Sequence, residues 1–160
     1  MKTKVDPKIS VIIPCLNAAA TLERCLDALE HQTKLPFEVI VGDNGSRDGS
    51  LEIVERRMRE SALPLRLVHA ARRGAAAARN AAAAQAKGDW LAFTDSDCIP
   101  EPAWLATGAA LIGGYDVSAL AGPAWGAWEG DAAARLLGLT SLAADGRERV
   151  MSDAGPTGTN

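Results

Sequence analysis

The sequence holds few thiols and no Cys-x-x-Cys pair; Cys15, Cys25 and Cys98 are its only cysteines. An odd, scattered set gives neither a disulfide framework nor a thiolate zinc site, so these residues are expected to be small buried hydrophobes. Positive charge is not in excess either. A net charge of -3 offers no field for phosphate backbones or anionic lipid, which argues against nucleic acid as a partner. No apolar run reaches the ~20 residues of a transmembrane helix, and "MKTKVDPKIS" lacks the apolar middle of a secretion signal. The expectation is a cytoplasmic protein without a transmembrane segment, with peripheral attachment to the inner face of a membrane still compatible. His31 and His69 have no partner spacing and receive no role.

What is present suits one globular domain. With 160 residues, 48% of them hydrophobic, the chain is able to bury about 70% of its unfolded surface. Strand-like and helix-like segments alternate along it. "ISVIIP" is a short apolar run rich in branched residues, as expected for a strand covered on both faces. In "TLERCLDALEHQ", Leu22, Cys25, Leu26 and Leu29 fall at i, i+3, i+4 and i+7, the period of an amphipathic helix. "FEVIVG" predicts a second strand. "DNGSRDGS" is a turn that also supplies caps for a helix from about Leu51, with Leu51, Val54 and Met58 inward. "LRLVHA", "GAAAARNAAAAQA" and "DWLAFT" continue as strand, helix and strand. Such alternation implies parallel strands joined by right-handed crossovers, hence an α/β fold. Farther on, "EPAWLATGAALI" predicts a helix opened by Pro102, "VSALAGPA" a strand, and "DAAARLLGLTSLAAD" has helical spacing.

Open α/β sheets hold ligands outside the carboxyl ends of their strands. The residues there are Pro14 to Asn17, Asp43 to Asp48, Arg72 to Gly74 and Asp95 to Asp97. Turns and caps alone would account for most of them. The aspartate pair is harder to explain that way. In an extended chain, residues i and i+2 point the same way, so Asp95 and Asp97 could aim both carboxylates into one pocket, the alternative being that Asp-x-Asp here merely forms a turn. Like charges so close favour a cation between them, and hard oxygen donors without nearby imidazole or thiolate favour Mg2+ or Mn2+. "RRGAAAARN" opens a helix whose N-terminus attracts an anion; Arg79 on it, taken alone, reads as a solvated charge on an alanine helix, and in this context it is also suited to clamp phosphate oxygens. Asp43 and Asn44 could meet the edge of a nucleobase, or simply cap the next helix.

The segment after the first strand excludes several phosphate-binding classes. "PCLNAAA" is not the Gly-x-Gly-x-x-Gly of a dinucleotide-binding domain, nor the basic glycine-rich loop of a sugar nucleotidyltransferase. Nor does it carry the acidic pair of a signalling receiver domain.

Taken in order, "ISVIIPCLN", "LERCLDALEHQT", "FEVIVGDNGSRDGS", "RRGAAAARNAA" and "AKGDWLAFTDSDC" resemble the nucleotide-binding half of family 2 glycosyltransferases of GT-A fold, continuously from about Ile9 to Pro102. The resemblance implies a GT-A type, Rossmann-like, mostly parallel sheet flanked by helices. It implies transfer of a sugar from a UDP- or GDP-linked donor to a hydroxyl acceptor, saccharide or lipid-linked, with inversion and with Mg2+ or Mn2+. By position, Pro14, Asn17, Asp43 and Asn44 would line the nucleoside pocket and Arg79 would lie near the diphosphate. Asp95, Ser96 and Asp97 would be the Asp-x-Asp motif, with Asp97 the closest metal ligand and Asp95 nearer the ribose or metal. The commoner pattern has a second acidic residue at Asn44 and an asparagine at Arg72.

One domain over 1–160 is therefore expected, with 9–102 binding the nucleotide sugar and 103–160 beginning an incomplete acceptor-side part. The general base is expected beyond Asn160, because Glu129, Asp131, Asp145, Glu148 and Asp153 stand in no motif. Trp104, Trp125 and Trp128 are read as core or interface anchors before sugar platforms. Apolar surface left uncovered would favour homo-oligomers. A nucleotide-sugar-binding module without turnover is the alternative reading.

Overall fold

The computed structural model describes residues 6–115, 118–121, 124–125 and 135–136. Its central element is β1 (Ile9–Cys15), buried at every position because strands lie on both sides of it and helices on both faces. It pairs in parallel with β2 (Glu38–Asp43) and with β4 (Trp90–Phe93), and β2 pairs in parallel with β3 (Leu65–His69). The strand order is β3-β2-β1-β4. Between the strands run α1 (Leu22–Glu30), α2 (Ser50–Glu60) and α3 (Ala75–Ala83), and α4 (Trp104–Gly114) follows β4.

Alternation along β1 divides the core in two. Ile9, Val11, Ile13 and Cys15 join Leu22, Cys25, Leu26 and Leu29 of α1, Val54 of α2 and Leu105 of α4 in the larger cluster. Ile12 and Ile40 pack on the other face against Ala82 of α3. Alanine there has a steric cause. A Cβ at Gly42 of β2 would lie 3.0 Å from the carbonyl carbon of Ala78 and 3.3 Å from the Cβ of Ala82, so α3 rides almost directly on the β2 backbone. Glycine below and alanine above permit that approach.

At the amino end of the sheet a buried polar knot fixes the chain entering β4. The Ser10 hydroxyl donates to Glu38 Oε1 at 2.8 Å, Lys87 N–H to the same oxygen at 2.6 Å, Arg66 to Oε2 at 2.8 Å, and Gly88 N–H to Ser10 Oγ at 2.9 Å. Burial pushes the Glu38 carboxyl up, but the donors at Lys87, Arg66 and Ser10 outweigh it and hold it below its ordinary value.

The structure corrects three expectations. Met58 of α2 is exposed, and the inward face is Ser50, Ile53 and Val54, with Arg57 at the following turn. Arg57 takes that place because α1 offers it Glu23, Asp27 and Glu30 at 3.3, 2.8 and 2.7 Å. Cys98 is exposed, whereas Cys15 and Cys25 are buried as expected. Where helical spacing runs through Arg135 and Leu136, these residues form β6 (Arg135–Leu136), antiparallel to β5 (Ala124–Trp125). Of the strand expected over "VSALAGPA", Ser118 to Ala121 lie outside any strand, Ala124 opens β5, and the rest falls outside the described residues. Trp104 opens α4 half-buried against the main core, as an anchor should. Trp128, Glu129, Asp131, Asp145, Glu148 and Asp153 lie outside the described residues.

Candidate functional site

From β1 the chain moves outward to β2 and β3, then crosses back to the other side of β1 to make β4. The crevice of an open sheet lies at such a reversal, here between the carboxyl ends of β1 and β4. Asp95, Ser96 and Asp97 sit at that place. Thr94 N–H still donates to the Ile12 carbonyl at 3.2 Å, continuing the ladder. The chain then turns. Cys98 N–H donates to the Asp95 carbonyl at 3.1 Å, making Asp95 to Cys98 a β-turn with the aspartates at its first and third positions. The extended segment assumed from sequence is thus replaced by a turn, which Cys25 of α1 also supports by donating its thiol to the Asp95 carbonyl at 3.5 Å. Burial first, and then the neighbouring Cys98, Asp97 and Asp95, push the Cys25 thiol up to about 12, so it acts as a neutral donor.

Both aspartates are exposed, and Arg79 of α3 makes an ion pair with Asp95 Oδ1. The structure therefore brings Arg79 and Asp95 together at the mouth of the crevice. These groups fit a divalent cation in one particular way. Among the described residues no cluster of three metal-ligating side chains occurs. The protein would supply one or two hard carboxylates, leaving other positions for phosphate oxygens and water, which suits Mg2+ or Mn2+.

The loops after β1, β2 and β3 are laced together. Asn17, at φ 51°, accepts Arg47 N–H at 2.8 Å, and its own N–H donates to Ser46 Oγ at 3.0 Å. Ala18 N–H donates to Ser50 Oγ at 2.8 Å and Ala19 N–H to Asp48 Oδ2 at 2.9 Å. Asn44 bridges in the other direction: its Nδ2 donates to the Arg72 carbonyl at 2.7 Å, and its Oδ1 accepts Gly74 N–H at 2.6 Å. Gly74, at φ 115°, then leads into α3. An aspartate at 44 has no donor for Arg72, so the amide is what this loop pairing requires. Pro14 is buried within β1 opposite Gly42.

Asp43 closes β2. Its carboxylate accepts Gly45 and Ser46 N–H, each at 3.0 Å, and lies 3.3 Å from Nδ1 of His69. Burial raises its pKa most, yet the Ser46, Gly45 and His69 donors together bring it below the ordinary value. His69 had no role from sequence. Its signal was positional, since Asp43 and His69 end adjacent parallel strands in register.

The model of glycosyl transferase family 2 matches residues 10–135. The chain belongs to that family. Glycosyltransferase AglE of Haloferax volcanii is 39% identical over 122 residues, covering 75% of this chain and 40% of AglE. TarS of S. aureus, solved with UDP-GlcNAc, matches at TM-score 0.60 and 34% identity over 66% of this chain and 31% of that one. Mannosyltransferase PcManGT of Pyrobaculum calidifontis, in complex with GDP-Man and Mn2+, matches at TM-score 0.60 and 32% identity over 73% of this chain and 34% of its own. The chain thus spans less than half the length of each of these relatives. The parallel sheet flanked by helices is the GT-A type arrangement expected. Among the described residues no helix is long and apolar enough to cross a membrane.

Proposed function

We propose that residues 9–102 form the donor site of a family 2 glycosyltransferase that moves a sugar from a UDP- or GDP-linked donor to a hydroxyl acceptor with inversion. The observation that carries this reading is the Asp95–Ser96–Asp97 turn at the sheet's reversal point, with Arg79 already drawn onto Asp95. In it, Pro14, Asn17, Asp43 and Asn44 frame the nucleoside pocket. Asp95 and Asp97 hold Mg2+ or Mn2+, with Ser96 between them, and Arg79 turns from Asp95 to the diphosphate. When bound, such a cation would supply positive charge beside the diphosphate. Arg79 and the amino end of α3 add further positive potential on the same side. The general base that takes the acceptor proton belongs, on this reading, to an acceptor-side part outside 9–102, which 103–160 begins. A cytoplasmic location and self-association belong to the same proposal.

Calorimetric titration with UDP and with GDP, with and without Mn2+, tests it. Binding is expected to need the metal, and Asp97→Ala is expected to weaken it at least about tenfold, the loss of roughly 1.4 kcal/mol of interaction. Manganese-dependent affinity untouched by Asp97→Ala would end the donor-site reading. Donor hydrolysis or transfer by the same protein separates an enzyme from a module that only binds.

A further inference from the structure

At the end of the crevice farthest from the aspartate turn, Asp43 and His69 form a pair of unequal exposure. The side chain of Asp43 is 3% exposed and that of His69 67%. The carboxylate is also engaged at both oxygens: Oδ1 accepts Ser46 N–H, while Oδ2 accepts Gly45 N–H and faces the imidazole Nδ1. A group so enclosed presents no free edge to a ligand, whereas the imidazole beside it does. Among the described residues the other ring nitrogen, Nε2, makes no hydrogen bond.

We propose that His69 is the specificity-determining residue that reads the nucleobase of the donor, and that Asp43 positions its ring. This rests on the donor-site reading above. A carboxylate only accepts hydrogen bonds, so a neutral imidazole paired with it keeps its proton on Nδ1 and offers the Nε2 lone pair outward. A lone pair there matches a base with a ring N–H on its pairing edge, as uracil has at N3 and guanine at N1. Cytosine and adenine present an unprotonated ring nitrogen at the same place, which sets lone pair against lone pair. The spacing agrees. With strands about 4.8 Å apart, three steps from β3 to β4 span roughly 14 Å, comparable to an extended nucleoside diphosphate reaching from His69 to the aspartate turn.

The test is titration of UDP, GDP, CDP and ADP with Mn2+ into the unmodified protein, His69→Phe and His69→Gln. The unmodified protein is expected to bind UDP or GDP at least about tenfold more tightly than CDP and ADP, a gap of roughly 1.4 kcal/mol. His69→Phe should erase that gap by lowering UDP and GDP to the level of the others. His69→Gln, which keeps an acceptor, should retain most of it. A wild-type preference preserved in His69→Phe would overturn the proposal, because a ring that merely stacks explains it equally well; so would equal binding of all four by the unmodified protein. If the His69 variants leave the ratios unchanged while Asp97→Ala abolishes metal-dependent binding of every nucleotide, the donor site stands and only the role of His69 falls. Failure of all four nucleotides to bind would remove both.

Discussion

Arg79 and Asp95 neutralise one another at the open mouth of the crevice, with side chains 36% and 51% exposed. An ion pair in such surroundings is worth only about 0–1 kcal/mol, since water and salt screen it. Arg79→Met is therefore expected to change unfolding stability by less than about 1 kcal/mol. Its effect should appear in binding, where loss of a charged clamp on phosphate weakens manganese-dependent UDP or GDP affinity about tenfold, on the order of 1.4 kcal/mol. Urea unfolding and calorimetry on the same variant measure the two separately. Equal losses in both would identify Arg79 as part of the scaffold. The place of the aspartates, just after the apolar run of β4, was legible in the sequence; that they lie on a turn instead of an extended segment was not, because the turn depends on the Cys98 N–H and the Cys25 thiol meeting the Asp95 carbonyl. Asn44 was legible only as a polar turn residue. That both ends of its amide are committed to the Arg72–Gly74 loop depends on two residues of one loop, 28 and 30 positions away, which no local pattern reveals.

Elements differ in how much of their placement is local. The strands and α1 follow from spacing because one rule, apolar residues facing apolar residues, decides them. In α2 the inward face includes an arginine, and its three carboxylate partners on α1 are only apparent once the helices are side by side. The alanines of α3 looked like mere helix formers. In the structure they are a condition of close approach, shared with Gly42 beneath them. Gly42→Ala should force α3 off the sheet and destabilise the protein by about 1–3 kcal/mol, the usual cost of overfilling a packed interface. Because α3 carries Arg79 and begins at the loop held by Asn44, nucleotide affinity should fall with it. Denaturant midpoints and nucleotide titration check the two effects. Unchanged stability would mean that the helix has room the structure does not show.

Among the described residues the two buried carboxylates lie apart, Glu38 at the amino end of the sheet and Asp43 at the carboxyl end. Both carboxylates are held below their ordinary pKa values by donors that burial alone would not overcome. A group with a lowered folded pKa lends stability above its unfolded pKa, and that stability disappears as pH falls through the folded value. Stability should thus hold near neutrality and decline below about pH 4, where unfolded carboxylates take up protons. The buried thiol of Cys25 acts at the opposite limit. Raised to about 12 in the folded state, it lends stability that is complete below the ordinary thiol value and lost as pH climbs toward that figure. The stability curve should accordingly be a plateau with an acid limb set by the two carboxylates and an alkaline limb to which Cys25 contributes. Urea unfolding from pH 3 to pH 7 is expected to show a flatter acid limb in Glu38→Gln, together with lower stability at pH 7, because the charge that Arg66 faces is gone. An acid limb as steep as in the unmodified protein would place the proton-binding groups elsewhere in the chain.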